Sequence, residues 1–312
     1  MKILVTGGTG FLGERLVRAL LKKGHKVCVF SNERNSEIEK MGVVLIIGDI
    51  FDRKKVRKAL NGVDVVYHLA AILDESSPLM YKVNVEGTRN VISACRNSGV
   101  KKIILPSSIG VLGYTEKPAV EDMPYNPSTE YEKSKAEGER LVIKSGVAYT
   151  IARITIICGP NSFWRQIFRA AGKGYPIIGS GDNHWHLVYV DDAVEALVLM
   201  LKPKAKNKIY HIADDDPHTY RGVYETIAKV SGSKKPEKHV PVFLVKCVAL
   251  LHETKCKILG KKPNVTKMMS SIERLIRERI VSIEKAKKEL GYKPKYDLEN
   301  SMKKTYRELK GQ

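Results

Sequence analysis

Tyr131 and Lys135 are the two residues whose types and spacing most directly indicate chemistry. On a helix, side chains four residues apart lie on one face about one turn from each other. A phenol with its usual pKa of about 10 is a poor base at neutral pH, but a neighbouring ammonium group favours the phenolate, and an oxidised nicotinamide adds a second positive charge. We therefore predict that Tyr131 exchanges a proton with an alcohol or carbonyl oxygen while hydride moves at the adjoining carbon. The spacing also occurs by chance in many helices, so its meaning depends on the rest of the chain.

A glycine-rich segment near the start of the chain predicts where the hydride carrier binds. Gly7, Gly10 and Gly13 have the spacing G-x-x-G-x-x-G between a predicted strand and a predicted helix. The first glycine permits a tight turn, the second lets the backbone approach a pyrophosphate, and the third lets the helix pack on the strand. The helix N-terminus favours the negative diphosphate. We predict a dinucleotide site that includes Gly7, Gly10, Phe11, Leu12 and Gly13.

The residues after the second predicted strand bear on which nicotinamide dinucleotide binds. NAD sites usually have an acidic residue here that holds the adenosine ribose hydroxyls, but this sequence has Ser31, followed by Arg34. Without a carboxylate a 2′-phosphate is not repelled, and an arginine can bind it through two hydrogen bonds. These residues favour NADP, whereas Glu33 keeps NAD open as the alternative.

The pattern of the chain predicts the scaffold that positions these residues. Short β-branched runs alternate with amphipathic stretches, which is typical of βαβ units around a buried parallel sheet. The predicted strands are 2–6, 26–30, 43–47, 64–69, 101–106 and 147–154, and the helices between them are 11–23, 52–60, 78–97 and 128–145. The second half is less regular, with strands over 186–190 and 208–212 and helices over 191–201, 219–230, 240–259 and 283–290.

This pattern predicts an α/β protein with a Rossmann-type doubly wound parallel sheet. We expect a dinucleotide-binding domain over residues 1–158 and a smaller α/β substrate-binding lobe over residues 159–312, some of whose strands return to the main sheet. The crevice between the two parts is the expected ligand site.

Size and composition fit an ordinary soluble globular protein. The 312 residues are enough for a large core, and 43% are hydrophobic and 28% charged. Five scattered cysteines favour a reducing compartment, and the first predicted strand leaves no room for a signal peptide. The apolar run after residue 240 is interrupted by Lys246 and is too short to span a bilayer. We expect a cytoplasmic protein.

The charge balance is strongly basic, with a formal net charge of +20. Residues 233–279 hold nine lysines and three arginines against four glutamates, a net charge of +8. Such a field attracts nucleic acid, anionic membranes or phosphate-bearing ligands, but we favour the simpler interpretation of a lysine-rich solvated surface. Motifs that combine aromatic residues and glycine to bind RNA are absent, so we expect no nucleic-acid partner.

Further motifs follow in a definite order along the chain. They are Gly48-Asp49, His68-Leu69-Ala70-Ala71, residues 83–88, Ser107-Ser108, Gly159-Pro160, residues 188–192 and residues 289–294. With the glycine loop and the Tyr131/Lys135 pair, they make the sequence resemble the extended short-chain dehydrogenase/reductase family over essentially its whole length. It is most similar to the branch of nucleotide-sugar epimerases and dehydratases, dihydroflavonol reductases and 3β-hydroxysteroid dehydrogenases.

The resemblance implies roles for several further residues. Ser108 would orient the substrate oxygen, and Asn84 would orient Lys135 through water, although an asparagine in a helix can also bond locally. Adenine would contact Asp49 and Ile50. The cofactor cleft would be lined by Leu69, Ala70, Ala71 and Ser107. Family members often dimerise through the helix that carries the tyrosine, which implies a homodimer.

Departures from the family bear on the substrate. Trp185 stands where sugar-nucleotide members usually carry a diphosphate-binding arginine, and an indole cannot bind phosphate. A second arginine clamp has no clear counterpart, with Arg169 and Arg221 as loose candidates. Leu112, Phe163 and Trp164 add apolar side chains near the expected cleft. Together these residues favour an apolar or aromatic carbonyl compound as the small-molecule substrate, although each of them can simply be core.

The segment 240–259 predicts a helix whose apolar residues alternate with lysines inside the basic cluster. One interpretation is an amphipathic helix that covers the core. The other is an interfacial helix that docks on anionic lipid, which would make the protein membrane-peripheral.

Three functions therefore compete. The leading hypothesis is an NAD(P)-dependent oxidoreductase that acts on a secondary alcohol or ketone. The alternative is a nucleotide-sugar 4-epimerase or dehydratase with tightly bound NAD. A cofactor-sensing regulator is disfavoured, because relatives of that kind typically lose the tyrosine or the lysine.

Overall fold

The computed structural model describes residues 1–115, 117–258 and 265–311. Its strands are β1 (Lys2–Thr6), β2 (Lys26–Ser31), β3 (Val44–Ile47), β4 (Val65–His68), β5 (Lys102–Ser108), β6 (Tyr149–Ile154), β7 (Ile156–Cys158), β8 (Ile177–Ile178), β9 (His184–Trp185), β10 (Leu187–Tyr189), β11 (Lys208–Ile212), β12 (His218–Thr219) and β13 (His239–Val240).

The helices complete the element list. They are α1 (Phe11–Lys22), α2 (Ser36–Lys40), α3 (Arg53–Ala59), α4 (Thr88–Asn97), α5 (Glu130–Ile143), α6 (Ser162–Gly172), α7 (Val190–Leu199), α8 (Tyr220–Ser231), α9 (Val242–Ile258), α10 (Val265–Ile276), α11 (Glu284–Leu290) and α12 (Leu298–Lys310). A π-helix (Lys82–Gly87) leads directly into α4.

Within the described residues the central sheet has seven parallel strands in the order β11-β6-β5-β4-β1-β2-β3. The direction of strand addition reverses between β1 and β4, where Thr6 pairs with His68. In an open α/β sheet, ligands bind at the carboxyl ends of the strands at such a switch point. The predicted Rossmann-type α/β fold is thus confirmed, and the glycine loop lies at the end of β1.

Both faces of the sheet are buried, which explains why its strands are apolar at successive positions rather than at alternate ones. Ile3 and Val5 of β1 belong to one core cluster, together with Leu16 of α1 and Leu197 of α7. Leu4 faces the opposite cluster, which contains side chains of α3, α4 and α5. A third cluster packs α6, α8 and α12 against the short strands of the second half.

Several boundaries and elements differ from the sequence-based expectation. The helix expected over 78–97 consists of the π-helix and α4 and begins only at Lys82. Helices α6, α10 and α12 were not expected, although the N-caps Asn161 and Asp297 mark the starts of α6 and α12. No helix among the described residues is both long and apolar enough to cross a lipid bilayer.

Candidate active site

The backbone itself requires two of the three glycines in the loop after β1. Gly7 has a φ of +68°, and a Cβ there would lie 2.7 Å from the Ala70 nitrogen. A Cβ on Gly13 would collide with the Gly7 carbonyl oxygen. At Gly10, by contrast, a Cβ would lie 3.4 Å from that oxygen, which is close to ordinary contact. Packing within the protein therefore tolerates a Cβ at Gly10. The absence of that Cβ leaves space in the cavity beside it.

That cavity has a volume of about 730 Å³ and runs along the carboxyl ends of the strands. Seventeen residues were predicted from the sequence to take part in catalysis or to bind the coenzyme, and fifteen of them line this cavity. They are Gly7, Gly10, Phe11, Leu12, Gly13, Ser31, Asp49, Ile50, Leu69, Ala70, Ala71, Ser107, Ser108, Tyr131 and Lys135. Arg34 and Asn84 do not line this cavity. Residues that were predicted from separate sequence motifs therefore line one continuous cavity.

Arg34 points away from the predicted adenosine end of the cavity. Its side chain is 82% exposed and lies 3.6 Å from Glu39. Ser31 does line the cavity, and its hydroxyl is 3.1 Å from the Thr9 hydroxyl. Of these two residues, only Ser31 lines the cavity at the place where a ribose or its phosphate is expected.

Helix α5 brings Tyr131 and Lys135 to the cavity. Its start is fixed by a capping box in which the Thr129 and Glu132 side chains bond to each other's backbone. Lys135 Nζ donates to the Pro106 carbonyl oxygen at 2.7 Å, which ties α5 to the end of β5. Burial lowers the pKa of Lys135 to about 8.

The expected phenolate-favouring effect of Lys135 on Tyr131 is not found in the protein alone. Burial raises the pKa of Tyr131 to about 12, and Arg274 and Arg279 lower it by less than burial raises it. The Lys135 ammonium is directed to Pro106 instead. The tyrosine is therefore protonated at rest, and its ionisation requires additional positive charge in the cavity.

Ser108 is oriented as a donor toward the cavity. Its Oγ accepts a hydrogen bond from the Gly110 backbone N–H at 3.1 Å. With that lone pair used, the hydroxyl proton remains to be donated to a substrate oxygen. The neighbouring Ser107 Oγ is buried and has no partner among the described residues, so it also has bonding capacity for a ligand.

Asn84 holds α5 against the loop after β4. Its side chain accepts from the Ile72 N–H at 2.8 Å and donates to the Ile72 carbonyl at 3.0 Å and to Ser134 Oγ at 2.9 Å. Asn84 and Lys135 share a small second cavity of about 10 Å³. That volume is about the size needed for one water molecule. The expected bridge between Asn84 and Lys135 therefore stays a prediction.

A buried histidine, His68, links the glycine loop to Asn84. The Thr88 hydroxyl donates its one proton to the Asn84 carbonyl oxygen at 2.6 Å, so it accepts from His68 Nε2 at 2.9 Å. His68 Nδ1 then accepts from the Thr6 hydroxyl at 2.8 Å, and the Thr6 oxygen accepts from the Ala70 N–H at 3.2 Å. Burial lowers the pKa of His68 to about 3, so the ring stays neutral. A histidine inside a buried strand was the only sequence signal for this network.

Two arginines at the cavity were missed by the sequence analysis. Arg274, in the last turn of α10, and Arg279, just after that helix, both line the cavity. The loose candidates lie elsewhere, because Arg169 is exposed and Arg221 bonds to Ser180 and Asp182. We found no clear counterpart of the arginine clamp in the sequence, yet the structure brings these two arginines to the cavity. The cause is distance in sequence, since these arginines are more than 140 residues from Tyr131.

Most of the aromatic and apolar candidates belong to the core. Trp185 is 1% exposed, donates to the Leu275 carbonyl and pairs through its backbone with Arg279. Trp164 and Leu112 are also buried and do not line the cavity. Only Phe163 does so, with 43% of its surface exposed. Leu73 and Leu79 contribute further apolar surface to the cavity wall.

The chain resembles known proteins in both sequence and fold. Residues 3–213 match the sequence model of the NAD dependent epimerase/dehydratase family. The chain is 29% identical to the 2-alkyl-3-oxoalkanoate reductase of Stenotrophomonas maltophilia (strain K279a), an alignment that covers 97% of this chain and 98% of that protein. It is also 29% identical to the human sterol-4-alpha-carboxylate 3-dehydrogenase, decarboxylating, with 96% of this chain and 86% of that protein covered.

Among solved structures, the UDP-glucose 4-epimerase of Thermotoga maritima with UDP-glucose superposes with a TM-score of 0.79 at 23% identity, covering 100% of this chain and 99% of that chain. The chain belongs to the NAD dependent epimerase/dehydratase family. The predictions of an extended short-chain dehydrogenase/reductase and of a nicotinamide-dependent enzyme are confirmed.

Proposed function

We propose that this protein is an NAD(P)-dependent oxidoreductase that transfers hydride to or from a secondary alcohol or ketone of an apolar substrate. The observation that carries the proposal is the shared cavity, in which the glycine loop, Ser108, Tyr131 and Lys135 line one space. The two named relatives, a reductase and a dehydrogenase, support a redox reaction.

The cavity fits a dinucleotide. Gly7 and Gly13 allow a tight backbone turn that a Cβ would disrupt, and Gly10 leaves its Cβ position to a ligand. The N-terminus of α1 favours the diphosphate, and Asp49 and Ile50 would hold adenine. The Ser107 hydroxyl, which has no partner among the described residues, adds hydrogen-bonding capacity for a ligand. When bound, the nicotinamide supplies or accepts the hydride.

The protein's own residues would manage the proton. Ser108 donates to the substrate oxygen and orients it toward Tyr131. The Tyr131 phenol gives its proton to that oxygen in reduction and takes it back in oxidation. Lys135, whose ammonium group bonds to the Pro106 carbonyl, lines the same cavity as the phenol. Asn84 holds α5 and lines the small second cavity through which a water can reach Lys135. A bound oxidised nicotinamide would add the positive charge that favours the phenolate.

The relatives and the cavity wall both support an apolar substrate. The names of the two relatives describe an alkyl-substituted oxoalkanoate and a sterol carboxylate. In this chain Leu73, Leu79 and Phe163 line the cavity beside the catalytic residues. Apolar side chains around a few convergent polar groups are typical of a small-molecule site.

The coenzyme preference is proposed to be NADP, with NAD as the alternative. Ser31 at the cavity wall leaves no carboxylate to repel a 2′-phosphate, although Arg34 would have to turn inward to reach it. Titration of the protein with NADPH and NADH at physiological ionic strength tests this. Tighter binding of NADH would reverse the assignment.

A nucleotide-sugar 4-epimerase is the second candidate, and the two arginines at the cavity favour it, because guanidinium groups bind diphosphates. The mass of any ligand that co-purifies separates the two candidates. A reductase releases its oxidised coenzyme and turns over added NADPH or NADH. An epimerase retains NAD through purification and converts a UDP-sugar without added coenzyme.

We also propose that helix α9 docks on anionic membrane. Phe243, Val248 and Leu251 are 61–69% exposed, which is unusual for side chains of this size. The surrounding residues 233–279 carry a net charge of +8, which anionic headgroups attract. Co-sedimentation with phosphatidylserine vesicles at low salt tests the proposal. Phe243→Ser with Leu251→Ser should abolish binding, whereas Val44→Ser, at an equally exposed apolar position on β3, should not.

Domain division, assembly and location complete the proposal. We assign the dinucleotide to residues 1–158 and most of the substrate-binding surface to residues 159–312, with β11 of the second part in the main sheet. A homodimer through α4 and α5 in the cytoplasm is the expected state, and light scattering after gel filtration tests the assembly.

A further inference from the structure

Glu132, the residue after Tyr131, is a buried carboxylate in the wall of the cavity, and only 2% of its side chain is exposed. Its Oε2 atom accepts hydrogen bonds from the backbone N–H groups of Ser128 and Thr129 at 3.0 and 3.2 Å, which caps the start of α5. Capping alone does not require burial, because the Asp297 carboxylate caps α12 from an exposed position. The other contacts of Glu132 therefore point to a further role.

The first of these contacts joins Glu132 to a segment from the second half of the chain. Arg277 donates to both carboxylate oxygens at 2.8 and 3.0 Å, and Arg279 donates to Oε1 at 3.2 Å. Burial raises the pKa of Glu132, but the two arginines and the backbone cap together lower it by more, so the carboxylate is charged at neutral pH. In addition, the Arg279 N–H donates to the His184 carbonyl of β9 at 3.1 Å. Residues 277–279 are thus fixed between α5 and β9.

The second contact is with the turn that carries Ser108. A Cβ on Gly110 would lie 2.8 Å from the Glu132 Cγ and 2.9 Å from its Oε1, so the carboxylate packs directly on the Gly110 backbone. The Gly110 N–H in turn donates to Ser108 Oγ at 3.1 Å. One side chain therefore contacts three parts of the protein, which carry Tyr131, Ser108 and Arg279 to the same cavity.

We propose that Glu132 is a positioning residue for hydride transfer, which holds the phenol, the Ser108 hydroxyl and Arg279 in one fixed arrangement at the catalytic end of the cavity. This role rests on the oxidoreductase function proposed above. Groups that exchange a proton with a substrate act only within narrow limits of distance and direction, and side chains locked by packing and hydrogen bonds keep them there. A buried ion pair with partners on separate elements meets that need.

Glu132 also adds negative charge near the phenol. The charged groups around the phenol are Arg274, Arg279, Glu75, Glu132 and Lys135. Burial is the largest cause of the raised pKa of Tyr131, the arginines lower this pKa, and the Glu132 carboxylate raises it. Loss of the Glu132 charge should therefore let the phenol ionise at lower pH. A residue that only stabilises the fold would leave this pH dependence unchanged, so the pH dependence distinguishes the two roles.

The variants Glu132→Gln and Glu130→Gln form a matched pair. Glu130 is adjacent to Tyr131 on its other side, but it is exposed and bonds to Lys133. We would measure the oxidation of 2-decanol, an apolar secondary alcohol, with NADP⁺ and NAD⁺ across a range of pH. In Glu132→Gln, kcat should fall roughly 10- to 100-fold and the pH at which the rate levels off should fall by roughly one pH unit. The KM for the coenzyme should stay within about twofold. Glu130→Gln should match wild type throughout.

Gly110→Ala tests position without removing charge. The added Cβ displaces the Glu132 side chain from the turn, while the carboxylate and its arginines remain. We expect kcat to fall roughly tenfold with the wild-type pH dependence. Gly172→Ala is the control, because a Cβ there would meet its nearest neighbour, Ser233 Oγ, only at 3.8 Å. Wild-type kcat in Gly110→Ala would overturn the proposed role.

Arg277→Met keeps the role testable if Glu132→Gln does not fold. It releases residues 277–279 from α5 but leaves the negative charge near the phenol, so kcat should fall while the pH dependence moves to higher pH. Glu132→Gln and Glu130→Gln proteins with equal kcat would overturn the proposal. So would a Glu132→Gln protein that loses stability and turnover but keeps the wild-type pH dependence, because Glu132 would then be a structural residue alone.

A spectroscopic titration keeps this role distinguishable from the proposed function. If the wild-type protein does not oxidise 2-decanol with either coenzyme, the oxidoreductase function fails for this class of alcohol. The ultraviolet absorbance of the phenolate, measured with NADP⁺ bound and with the Tyr131→Phe spectrum subtracted, then reports on Glu132 without turnover. A Tyr131 ionisation midpoint that is lower in Glu132→Gln than in Glu130→Gln by roughly one pH unit supports the placement of the carboxylate, and equal midpoints reject it.

Discussion

The two sides of the cavity are built from different chemical groups. The side formed by the first half uses backbone shape: Gly7 and Gly13 allow a turn that no side chain would fit, and the N-terminus of α1 supplies N–H groups. The side formed by the second half uses side-chain charge and apolar surface, from Arg274, Arg279 and Phe163. A backbone cradle suits a coenzyme that is shared by many enzymes. Side chains from distant segments can differ between relatives without disturbing that cradle.

The substitution Tyr131→Phe tests the proposed proton donor of the cavity. We expect it to have the largest effect of these variants on turnover. Removing the phenol oxygen leaves both walls intact but removes the proton donor, so turnover should fall roughly 10²- to 10⁴-fold. Coenzyme binding, followed by fluorescence titration, should stay within a factor of about two. Tyr81→Phe, at an exposed position, is the control. Comparable turnover in Tyr131→Phe and wild type would remove Tyr131 from the mechanism.

Two glycine variants distinguish a glycine that the fold requires from a glycine that leaves space for the coenzyme. Gly13→Ala forces a Cβ against the Gly7 carbonyl, and we expect it to cost roughly 1–3 kcal/mol of unfolding free energy. Gly10→Ala meets no comparable clash, so its melting temperature should match wild type while coenzyme affinity falls by roughly 100-fold. Thermal unfolding and coenzyme titration check both variants. Unchanged affinity in Gly10→Ala would contradict the backbone cradle.

Lys135→Met should gain stability and lose turnover. The unfolded chain, with a lysine pKa of 10.5, binds more protons than the folded protein, whose Lys135 pKa is about 8. Wild-type stability therefore rises with pH between these values. At pH 7 the variant escapes the cost of burying the charge and should be more stable by roughly 1–3 kcal/mol. That advantage should shrink as the pH rises from about 8 to 10.5.

Urea unfolding across this pH range measures the effect. Lys102→Met is the matched control, because burial lowers the pKa of Lys102 to about 8 as well, but its Nζ bonds to the Met200 carbonyl away from the cavity. It should show the same stability trend and keep its activity. A Lys135→Met variant that is less stable than wild type at every pH would show that the bond to Pro106 outweighs the burial cost.

The smallest expected effect is a change in coenzyme affinity after substitution of Ser31. Ser31→Asp places a carboxylate where a 2′-phosphate would lie, so NADPH affinity should fall roughly tenfold while NADH affinity stays equal or improves. Parallel titrations with both coenzymes measure it. A variant that binds the two coenzymes in the wild-type ratio would place the adenosine ribose elsewhere in the cavity.

The difference between the two sides of the cavity also explains which parts of the fold and site could be predicted from the sequence. The glycine loop, the alternating strands and helices and the Tyr131/Lys135 pair are local patterns, and the structure brings their residues to one cavity. Arg279 was not singled out and the core position of Trp185 was left open, because their positions depend on contacts with residues 90 or more positions away in the sequence. The extent to which burial raises the pKa of Tyr131 could not be predicted, because sequence spacing does not report burial.

The return of β11 to the main sheet has a consequence for how the chain can be divided. β11 covers the outer side of β6, and the Thr150 hydroxyl donates to the Ala205 carbonyl across the same boundary. A fragment that ended at residue 158 would present β6 as an open edge strand with unpaired N–H and C=O groups, a template for aggregation. The first half therefore needs its last strand from the second half, and the smallest soluble fragment that holds the coenzyme should extend through residue 212.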